Sequence, residues 1–226
     1  MIKWSEYEDV WSKVKRSART TIRREGTGKY PDDRWKKSIL LAEHSPIRKI
    51  KFAWKWTDLK SWVSVHFGRH WVGILHFVTT QRTDRTGIPR DNLPQGALVE
   101  HECEANAQAL INISRKRLCS QASAETRKAW KEVVEEVRRK DHVLASVCVR
   151  ECIYRGFCPE MNPCGYADTP QYEAELKQYR DRDQTYDLCE MCEKDSETCD
   201  SYGDDYTMLD GKITRCGKYE KMDSDD

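Results

Sequence analysis

The sequence predicts one main domain of mixed α and β structure, followed by a cysteine-rich tail. Several segments place apolar residues three and four positions apart, as amphipathic helices do. Over residues 50–56, apolar side chains occupy every second position, as in a half-buried strand. Beyond about residue 183 the chain becomes acidic and rich in cysteine. We therefore expect a main domain over residues 1–168, and a C-terminal helix with an acidic cysteine-rich extension over residues 169–226.

In the first half of the chain the sequence predicts two helices, one strand and then a third helix. Residues 4–17 form an amphipathic pattern, and residues 33–43 are predicted to be helical with Asp33 as N-cap. The strand over residues 50–56 follows, and another helix is expected to begin at Asp58. The apolar positions behind these predictions are Trp4, Tyr7, Val10, Trp11 and Val14 in the first helix, and Ile50, Phe52, Trp54 and Trp56 in the strand.

The second half predicts a loop and three further helices. Residues 86–97 contain two Pro and two Gly and are expected to form a loop or lid. Helices are predicted over residues 98–118 and 123–139. A last helix is predicted from Thr169 as N-cap and Pro170 as first residue to about Asp183.

Composition excludes several classes of partner. The 39 basic and 38 acidic side chains nearly cancel, so the net charge does not favour nucleic acid or a membrane surface. The sequence has no run of 18 apolar residues and no signal-peptide pattern at its start, which leads us to expect a cytoplasmic protein. Ten cysteines in such a protein favour free thiols or metal ligands over disulfides.

Residues 67–85 read FGRHWVGILHFVTTQRTDR and place cations at both ends of an apolar stretch. Arg69, His70 and Trp71 are followed by eight residues, then Thr80 and Arg82. This order resembles the signature of the flavin-dependent thymidylate synthases, the ThyX family, which is Arg-His-Arg, seven or eight residues, Ser, and then an Arg. His76, within the apolar stretch, is predicted to be a core or capping residue.

A second block resembles the same family. Asn106 and Asn112 are six residues apart, Arg117 follows five residues later, and ASAETR begins at Ala122. The family has two Asn and an Arg at the same spacing, followed by a motif like Ala-Gln-x-Glu-Ile. Weaker matches are ARTTI at residues 18–22 and EHSPIRK before the strand. The resemblance covers roughly residues 18–140.

The resemblance implies a fold and a flavin site. The fold would be an α+β domain with helices packed on a twisted β-sheet, assembled as a homotetramer whose sites combine several subunits. Arg69 and His70 would bind the flavin, and Asn106 and Asn112 would contact its ring or ribityl region. Three further cofactor-side candidates depart from the family: Trp71 replaces the second Arg of the signature, Gln108 stands where many members carry Arg, and His44 lies one residue from the family's His.

The resemblance also implies a nucleotide site. Arg82 and Arg85 would hold the phosphate, because a planar guanidinium binds two oxygens at once. Thr80, at the family's Ser position, and Gln81 would add neutral donors, while the apolar residues 71–78 would wall the site and strengthen its charge contacts. Arg117 would contact the uracil and polarise its carbonyl. His66 is the remaining candidate on the substrate side.

The implied reaction is the methylation of dUMP to dTMP. NADPH would reduce bound FAD, methylenetetrahydrofolate would deliver the one-carbon unit, and the reduced flavin would supply the reducing equivalents. The departures from the family leave two alternatives open. One is hydroxymethylation of dUMP or action on a related pyrimidine nucleotide, and the other is a non-catalytic nucleotide-binding protein that carries a zinc element.

The cysteines form two groups that the resemblance does not explain. Cys148, Cys152, Cys158 and Cys164 lack a CxxC pair, and the first two are expected to be buried thiols. A second group begins with CxxC and consists of Cys189, Cys192, Cys199 and Cys216. Four thiolates could hold a structural zinc ion that folds an acidic tail poor in apolar residues. The alternative is free thiols in a disordered tail.

Overall fold

The computed structural model describes residues 1–26 and 28–182 together with the backbone of two later strands. The strands are β1 (Ile2–Tyr7), β2 (Lys51–Lys60), β3 (Ile74–Val78), β4 (Leu98–Asn106), β5 (Tyr206–Leu209) and β6 (Lys212–Cys216). The α-helices are α1 (Trp11–Thr20), α2 (Asp33–Leu41), α3 (Ser61–Gly68), α4 (Thr83–Thr86), α5 (Ala107–Arg117), α6 (Ala124–Lys140), α7 (His142–Ala145), α8 (Glu151–Arg155) and α9 (Pro170–Arg180). The first four strands form one antiparallel sheet in the order β1-β2-β4-β3. The α+β class is therefore confirmed.

The core lies between one face of this sheet and the helices. Phe52, Trp54 and Trp56 alternate along β2 and are fully buried. The ring of Trp56 stacks on Phe67 of α3 at a centroid distance of 4.6 Å, and Trp54 meets Trp130 of α6 edge to face at 5.8 Å. Burying a side chain the size of Phe contributes about 1.5–3 kcal/mol. The aromatic residues of β2 thus fix α3 and α6 against the sheet.

The opposite face of the sheet changes in character toward β3. On β2 and β4, outward side chains form ion pairs, with Lys51 bound to Glu104 at 2.5 Å and Lys55 to Glu100 at 2.6 Å. On β3, which is one of the two edge strands of this sheet, the outward residues Leu75 and Phe77 are apolar and more than half exposed. The apolar stretch of residues 71–78 therefore lies largely on the surface of this chain.

The prediction of a helix over residues 4–17 is wrong in its first part. Ile2–Tyr7 is strand β1, which pairs antiparallel with β2, and α1 begins only at Trp11. The backbone hydrogen bonds available at the edge of β2 outweigh the helical spacing of the first apolar residues. Trp11 and Val14 are buried in the core, as their spacing predicts.

The prediction of a helix over residues 98–118 is also wrong in its first part. Leu98–Asn106 is strand β4, which pairs with β2 on one side and β3 on the other. Its inward residues are Val99, His101, Cys103 and Ala105, and they alternate with Glu100, Glu102 and Glu104. This period of two is the signature of a strand with one buried face. Only residues 107–117 form the predicted helix, α5.

The remaining predicted elements agree with the structure apart from their boundaries, whereas β3, α4, α7 and α8 were not predicted. Helix α2 is capped by Asp32, whose carboxylate accepts from the Trp35 amide at 2.8 Å, rather than by Asp33. Helix α3 starts at Ser61 because β2 extends to Lys60. Helix α6 is confirmed within one residue at each end. Residues 86–97 form a loop that contains one short 3-10 helix, Arg90–Asn92.

Helix α9 begins as predicted, with Thr169 as N-cap and Pro170 as its first residue, and ends at Arg180. Its Tyr172 and Tyr179 are buried together with the rest of the core. Cys148 and Cys152 are buried free thiols, which confirms that prediction. The domain boundary near residue 168 stays a prediction. Within the described residues, no helix combines the length and the apolar character needed to cross a bilayer.

Strands β5 and β6 pair antiparallel as a separate two-stranded sheet. The predicted zinc ligands Cys189, Cys192 and Cys199 lie outside the described residues, and of Cys216 only the backbone, at the end of β6, is described. The zinc prediction for the tail therefore stays a prediction.

Candidate functional site

The predicted site residues lie in three places around β3 and α5. One group surrounds the start of β3, a second follows its end, and a third lies on one face of α5. Strand β3 contains Ile74–Val78, and four rises of roughly 3.3 Å give it a length of about 13 Å. The first two groups are therefore connected to opposite ends of this strand.

The group at the start of β3, called here the Arg117 cluster, consists of His66, Arg69, His70 and Arg117. Helix α3 carries His66 in its last turn and has Arg69 as its C-cap, and the His70 amide donates to the Phe67 carbonyl at 2.9 Å. Arg117, the last residue of α5, donates from Nε to His70 Nε2 at 2.9 Å and from a terminal nitrogen to the His66 carbonyl at 2.6 Å. The ends of two helices therefore hold the guanidinium in a defined orientation.

The electrostatics of the Arg117 cluster keep His70 neutral. Burial lowers the pKa of His70 to about 4, and the neighbouring Arg117 and His76 contribute to the shift. Because a guanidinium only donates, His70 Nε2 must accept, which leaves the proton of the neutral ring on Nδ1. His70 is therefore available as a hydrogen-bond donor to a ligand.

The same cluster concentrates positive charge. Burial lowers the pKa of Arg117, and the charge of Arg69 lowers it further. Burial, Arg117 and Arg69 also lower the pKa of His66. Among the residues that the structure describes, no carboxylate forms an ion pair with Arg69 or with Arg117. Two cations near each other without an acidic partner form a favourable site for an anion.

Asn106 lies beside this cluster and has a structural role. Its side chain caps α5 by accepting from the Ala109 amide at 2.9 Å, and its own amide donates to the Gly73 carbonyl at 2.9 Å. Gly73 has a φ of +75°, and a Cβ there would lie 2.6 Å from Asn106 Nδ2. Glycine is therefore required at this position for both the backbone conformation and the close approach.

Trp71 is the most exposed aromatic residue near the cluster. Its side chain is 77% exposed and directly follows His70. A large indole in solvent offers a flat apolar surface on which a ligand ring can stack. It adds no charge to the site, unlike an Arg at the same position.

The group at the end of β3, residues 80–85, is exposed and internally paired. Arg82 donates to both carboxylate oxygens of Asp84, at 3.0 and 2.8 Å, and the amide of Arg82 donates to the Thr80 hydroxyl at 3.3 Å. Arg85 lies 3.8 Å from the same carboxylate. Gln81 is partly buried. An anion that binds Arg82 must compete with Asp84.

The third group lies around Glu43. Gln108 donates to Glu43 and, at 3.3 Å, to Asn112, while Arg115 forms an ion pair with the same carboxylate. At about 100° per residue, Gln108 and Asn112 lie on the face of α5 opposite Arg117. His44 is exposed next to Glu43. These predicted flavin contacts therefore do not meet the Arg117 cluster directly.

His66 is held differently from the other members of its cluster. Its Nδ1 lies 3.0 Å from the hydroxyl of Thr126, and its ring meets Trp62 edge to face. Its backbone carbonyl, rather than its ring, contacts Arg117.

A fourth group was not found from the sequence. His76, His101 and Cys103 place their side-chain donor atoms within 4.8 Å of one another. His101 and Cys103 are buried, and His76 is partly buried. The signal lies in the alternation of residues 98–106, which the prediction of a helix over the same residues obscured.

Comparison with known proteins gives a likeness in structure but not in sequence. No protein-family model matches the chain, and no curated protein matches its sequence. A crystal structure of flavin-dependent thymidylate synthase ThyX from Helicobacter pylori, complexed with FAD and dUMP, superposes with a TM-score of 0.50 at 12% identity. The superposition covers 66% of this chain and 99% of the Helicobacter pylori chain. The fold is ThyX-like.

A second crystal structure of ThyX from Helicobacter pylori, also with FAD and dUMP, gives the same TM-score and identity and is covered over 98% of its length. At 12% identity the likeness establishes the arrangement of helices and sheet. The ThyX-like fold therefore confirms the expected architecture, while the chemistry depends on the side chains described above.

Proposed function

We propose that this protein is a flavin-dependent thymidylate synthase. It would bind FAD and methylate dUMP to dTMP, with methylenetetrahydrofolate as carbon donor and NADPH as reductant. The observation that carries the proposal is the Arg117 cluster, in which Arg69 and Arg117 lack carboxylate partners among the described residues and Arg117 is fixed against His70. The cluster lies on a fold that is similar to ThyX structures containing FAD and dUMP.

The residues of the cluster fit FAD chemically. A flavin dinucleotide needs cations for its pyrophosphate, donors for its pyrimidine carbonyls and a flat surface for its rings. Arg69 and Arg117 supply the cations, the Nδ1 of neutral His70 supplies a donor, and exposed Trp71 supplies a flat surface. Bound FAD would supply the reducing equivalents that convert the one-carbon unit into a methyl group.

Arg117 would also act on the nucleotide. A guanidinium that donates to a uracil carbonyl stabilises negative charge as it develops on the ring. The two hydrogen bonds to His70 and to the His66 carbonyl fix the orientation of Arg117 before the ligand arrives. Little reorganisation is then needed at the reacting centre.

The phosphate of dUMP would be held by Arg82 and Arg85, with Thr80 and Gln81 as neutral donors. These residues follow the end of β3, whereas Arg117 lies at its start. We propose that one nucleotide contacts Arg117 of one subunit and Arg82 of another. The exposed apolar side chains of β3 support such an assembly, because patches of this kind mark protein interfaces. A homotetramer is the proposed form, and light scattering of the full chain tests its mass.

Product analysis tests the proposed reaction. The full chain is incubated with FAD, NADPH, dUMP and methylenetetrahydrofolate labelled in its one-carbon unit, and the nucleotides are separated. Label in dTMP is expected. Label in a hydroxymethylated nucleotide would replace methylation with the related hydroxymethylase activity. Nucleotide binding without any labelled product would contradict the enzyme and favour a non-catalytic nucleotide-binding protein.

A further inference from the structure

The paired strands β3 and β4 bring two imidazoles and a thiol together. His76 lies directly opposite Cys103 in the register, and His101 is two residues before Cys103 on the same face of β4. His76 Nδ1 is 2.9 Å from His101 Nε2 and 3.4 Å from Cys103 Sγ. Three potential ligand atoms therefore lie close together, next to the backbone of His70 in the Arg117 cluster.

The hydrogen bonds of this group define which nitrogen of His76 carries the proton. His76 Nε2 is 2.6 Å from the His70 carbonyl, which can only accept, so Nε2 carries the proton. The Nδ1 of neutral His76 then has one lone pair, while both His101 Nε2 and Cys103 Sγ lie within hydrogen-bond distance of it. Without a metal, this lone pair accepts from His101 Nε2, whose own Nδ1 then accepts from the Ser64 hydroxyl, and the Cys103 thiol is left as a weaker second donor.

The outer contacts are those of metal-bound histidines. Metal-ligating His residues usually donate their second ring nitrogen to a carbonyl, a carboxylate or another polar group. His76 has the His70 carbonyl in this position, and His101 Nδ1 lies 3.0 Å from the hydroxyl of Ser64. When a metal binds, His101 would carry its proton on Nδ1 and donate it to Ser64, so that His76 Nδ1 and His101 Nε2 both present lone pairs to the ion.

We propose that His76 Nδ1, His101 Nε2 and the Cys103 thiolate bind one zinc-class transition metal ion. Two nitrogens and a thiolate form a donor set that suits zinc, and water or a ligand group would complete a tetrahedron. Zinc bonds of about 2.0–2.1 Å to nitrogen and about 2.3 Å to sulfur imply separations of about 3.3 Å between nitrogens and 3.6 Å between nitrogen and sulfur. The observed 2.9 and 3.4 Å need to open by only a few tenths of an ångström. The third separation, from His101 Nε2 to Cys103 Sγ, is at most 4.8 Å and has to reach the same nitrogen–sulfur value of about 3.6 Å. On binding, Cys103 releases its thiol proton to solvent.

The site would join the edge strand to the centre of the sheet. Strand β3 contributes His76 and β4 contributes the other two ligands. The hydrogen bond from His76 to the His70 carbonyl then connects the metal to the loop that carries Arg69 and His70. The site does not depend on the proposed flavin chemistry, because none of its ligands is a proposed FAD or dUMP contact.

Cobalt binding tests this proposal in the full chain. Co²⁺ replaces zinc in sites of this kind, where tetrahedral coordination gives visible bands and a thiolate gives a charge-transfer band. The metal-free protein is titrated with Co²⁺ and then with Zn²⁺, which should displace it. We expect one site whose bands disappear in Cys103→Ser and in His76→Gln. Removing a hydrogen-bond partner of a metal ligand lowers metal affinity about 10- to 100-fold, and Ser64→Ala, which removes the partner of His101, should have an effect of this size. Removing a ligand itself, as in Cys103→Ser or His76→Gln, should lower the affinity by more than about 100-fold.

Two controls separate this site from other thiols. Cys148→Ser removes another buried thiol and should leave the bands unchanged. Cys189→Ser combined with Cys192→Ser removes the CxxC pair of the predicted tail site and should also leave the bands unchanged. Thermal melts check folding, and if Cys103→Ser does not fold, His76→Gln on the exposed edge strand decides the question. Two results would overturn the proposal. One is binding of Co²⁺ to His76→Gln with the affinity and spectrum of the wild type, and the other is complete loss of Co²⁺ binding in the double variant of the tail cysteines.

Discussion

At the start of β3, the guanidinium of Arg117 donates to His70 and to the His66 carbonyl, and no carboxylate among the described residues neutralises it. At the other end of the same strand, Arg82 is 64% exposed and is held by Asp84, two residues away. Both regions present arginines beside neutral donors. They differ in how firmly the rest of the chain orients the charge.

This difference separates a preformed site from one that a ligand must complete. Arg117 is positioned by the ends of α3 and α5, so a ligand gains its charge at little ordering cost. Arg82 must exchange Asp84 for the ligand and lose the freedom of an exposed side chain. We therefore expect substitutions at the start of β3 to have larger effects than equivalent substitutions at its end.

The largest effect is expected for Arg117→Gln. The variant keeps a donor but removes the charge that both the flavin and the uracil would use. Hydrogen bonds to charged groups contribute about 1.5–3 kcal/mol, so FAD affinity should fall about 10- to 100-fold. Isothermal titration calorimetry measures it. Lys116→Gln is the matched control, since it removes a neighbouring charge that points to solvent and pairs with Glu151. Equal losses in the two variants would mean that only net charge matters.

A smaller effect is expected at the end of β3. Arg82→Gln should weaken dUMP binding about 10-fold, at the lower limit for a charged hydrogen bond, because the wild-type arginine is already partly neutralised. Asp84→Asn should act in the opposite direction and tighten dUMP binding a few-fold, since it frees Arg82 from its partner. Weaker dUMP binding in Asp84→Asn would show that the carboxylate orients Arg82 for the ligand instead of competing with it.

Trp71 should have a moderate effect on FAD alone. Stacking on an aromatic ring contributes about 0.5–1.5 kcal/mol, so Trp71→Ala should weaken FAD binding about five-fold. Trp71→Phe keeps a ring and should retain most of the affinity. The exposure of this side chain makes a folding defect a poor explanation for either result. Equal FAD affinity in Trp71→Ala and wild type would exclude stacking at this position.

The smallest effect concerns the protonation of His66. Burial lowers its pKa first, and the charges of Arg117 and Arg69 lower it further. Removing one of these charges in Arg117→Gln should raise the pKa toward its usual value, so the ring should take up its proton at higher pH. A nuclear magnetic resonance titration of the imidazole measures this shift. Arg82→Gln should leave the titration unchanged, and a similar shift in both variants would contradict the separation of the two ends of β3.

The sequence predicts the fold class because its strongest patterns are local. The alternation of Phe52, Trp54 and Trp56 predicts β2, and the N-cap Thr169 predicts α9. Strands β1 and β4, predicted as helix, and β3, for which no strand was predicted, depend for their stability on pairing with distant segments. In β4 the acidic residues Glu100, Glu102 and Glu104 mark the exposed face, so the period of two is present in the sequence itself.

The sequence predicts which residues form the candidate site only where the ends of their helices lie next to each other in the fold. Arg69, His70 and Arg117 do meet, because α3 ends where α5 ends. Gln108 and Asn112 do not join them, since a helix places residues at these spacings on the opposite face from Arg117. The contact of His76 with Cys103 depends on the register of β3 against β4 and cannot be obtained from spacing in the chain.

Flavin binding is the most direct test of the central claim. The purified full chain is titrated with FAD, with and without dUMP, and the flavin absorbance is followed before and after anaerobic addition of NADPH. We predict a bound flavin whose absorbance bleaches with NADPH, at an affinity that Arg117→Gln reduces and Lys116→Gln does not. Failure of the wild-type protein to bind FAD in the presence or absence of dUMP would contradict the proposed function.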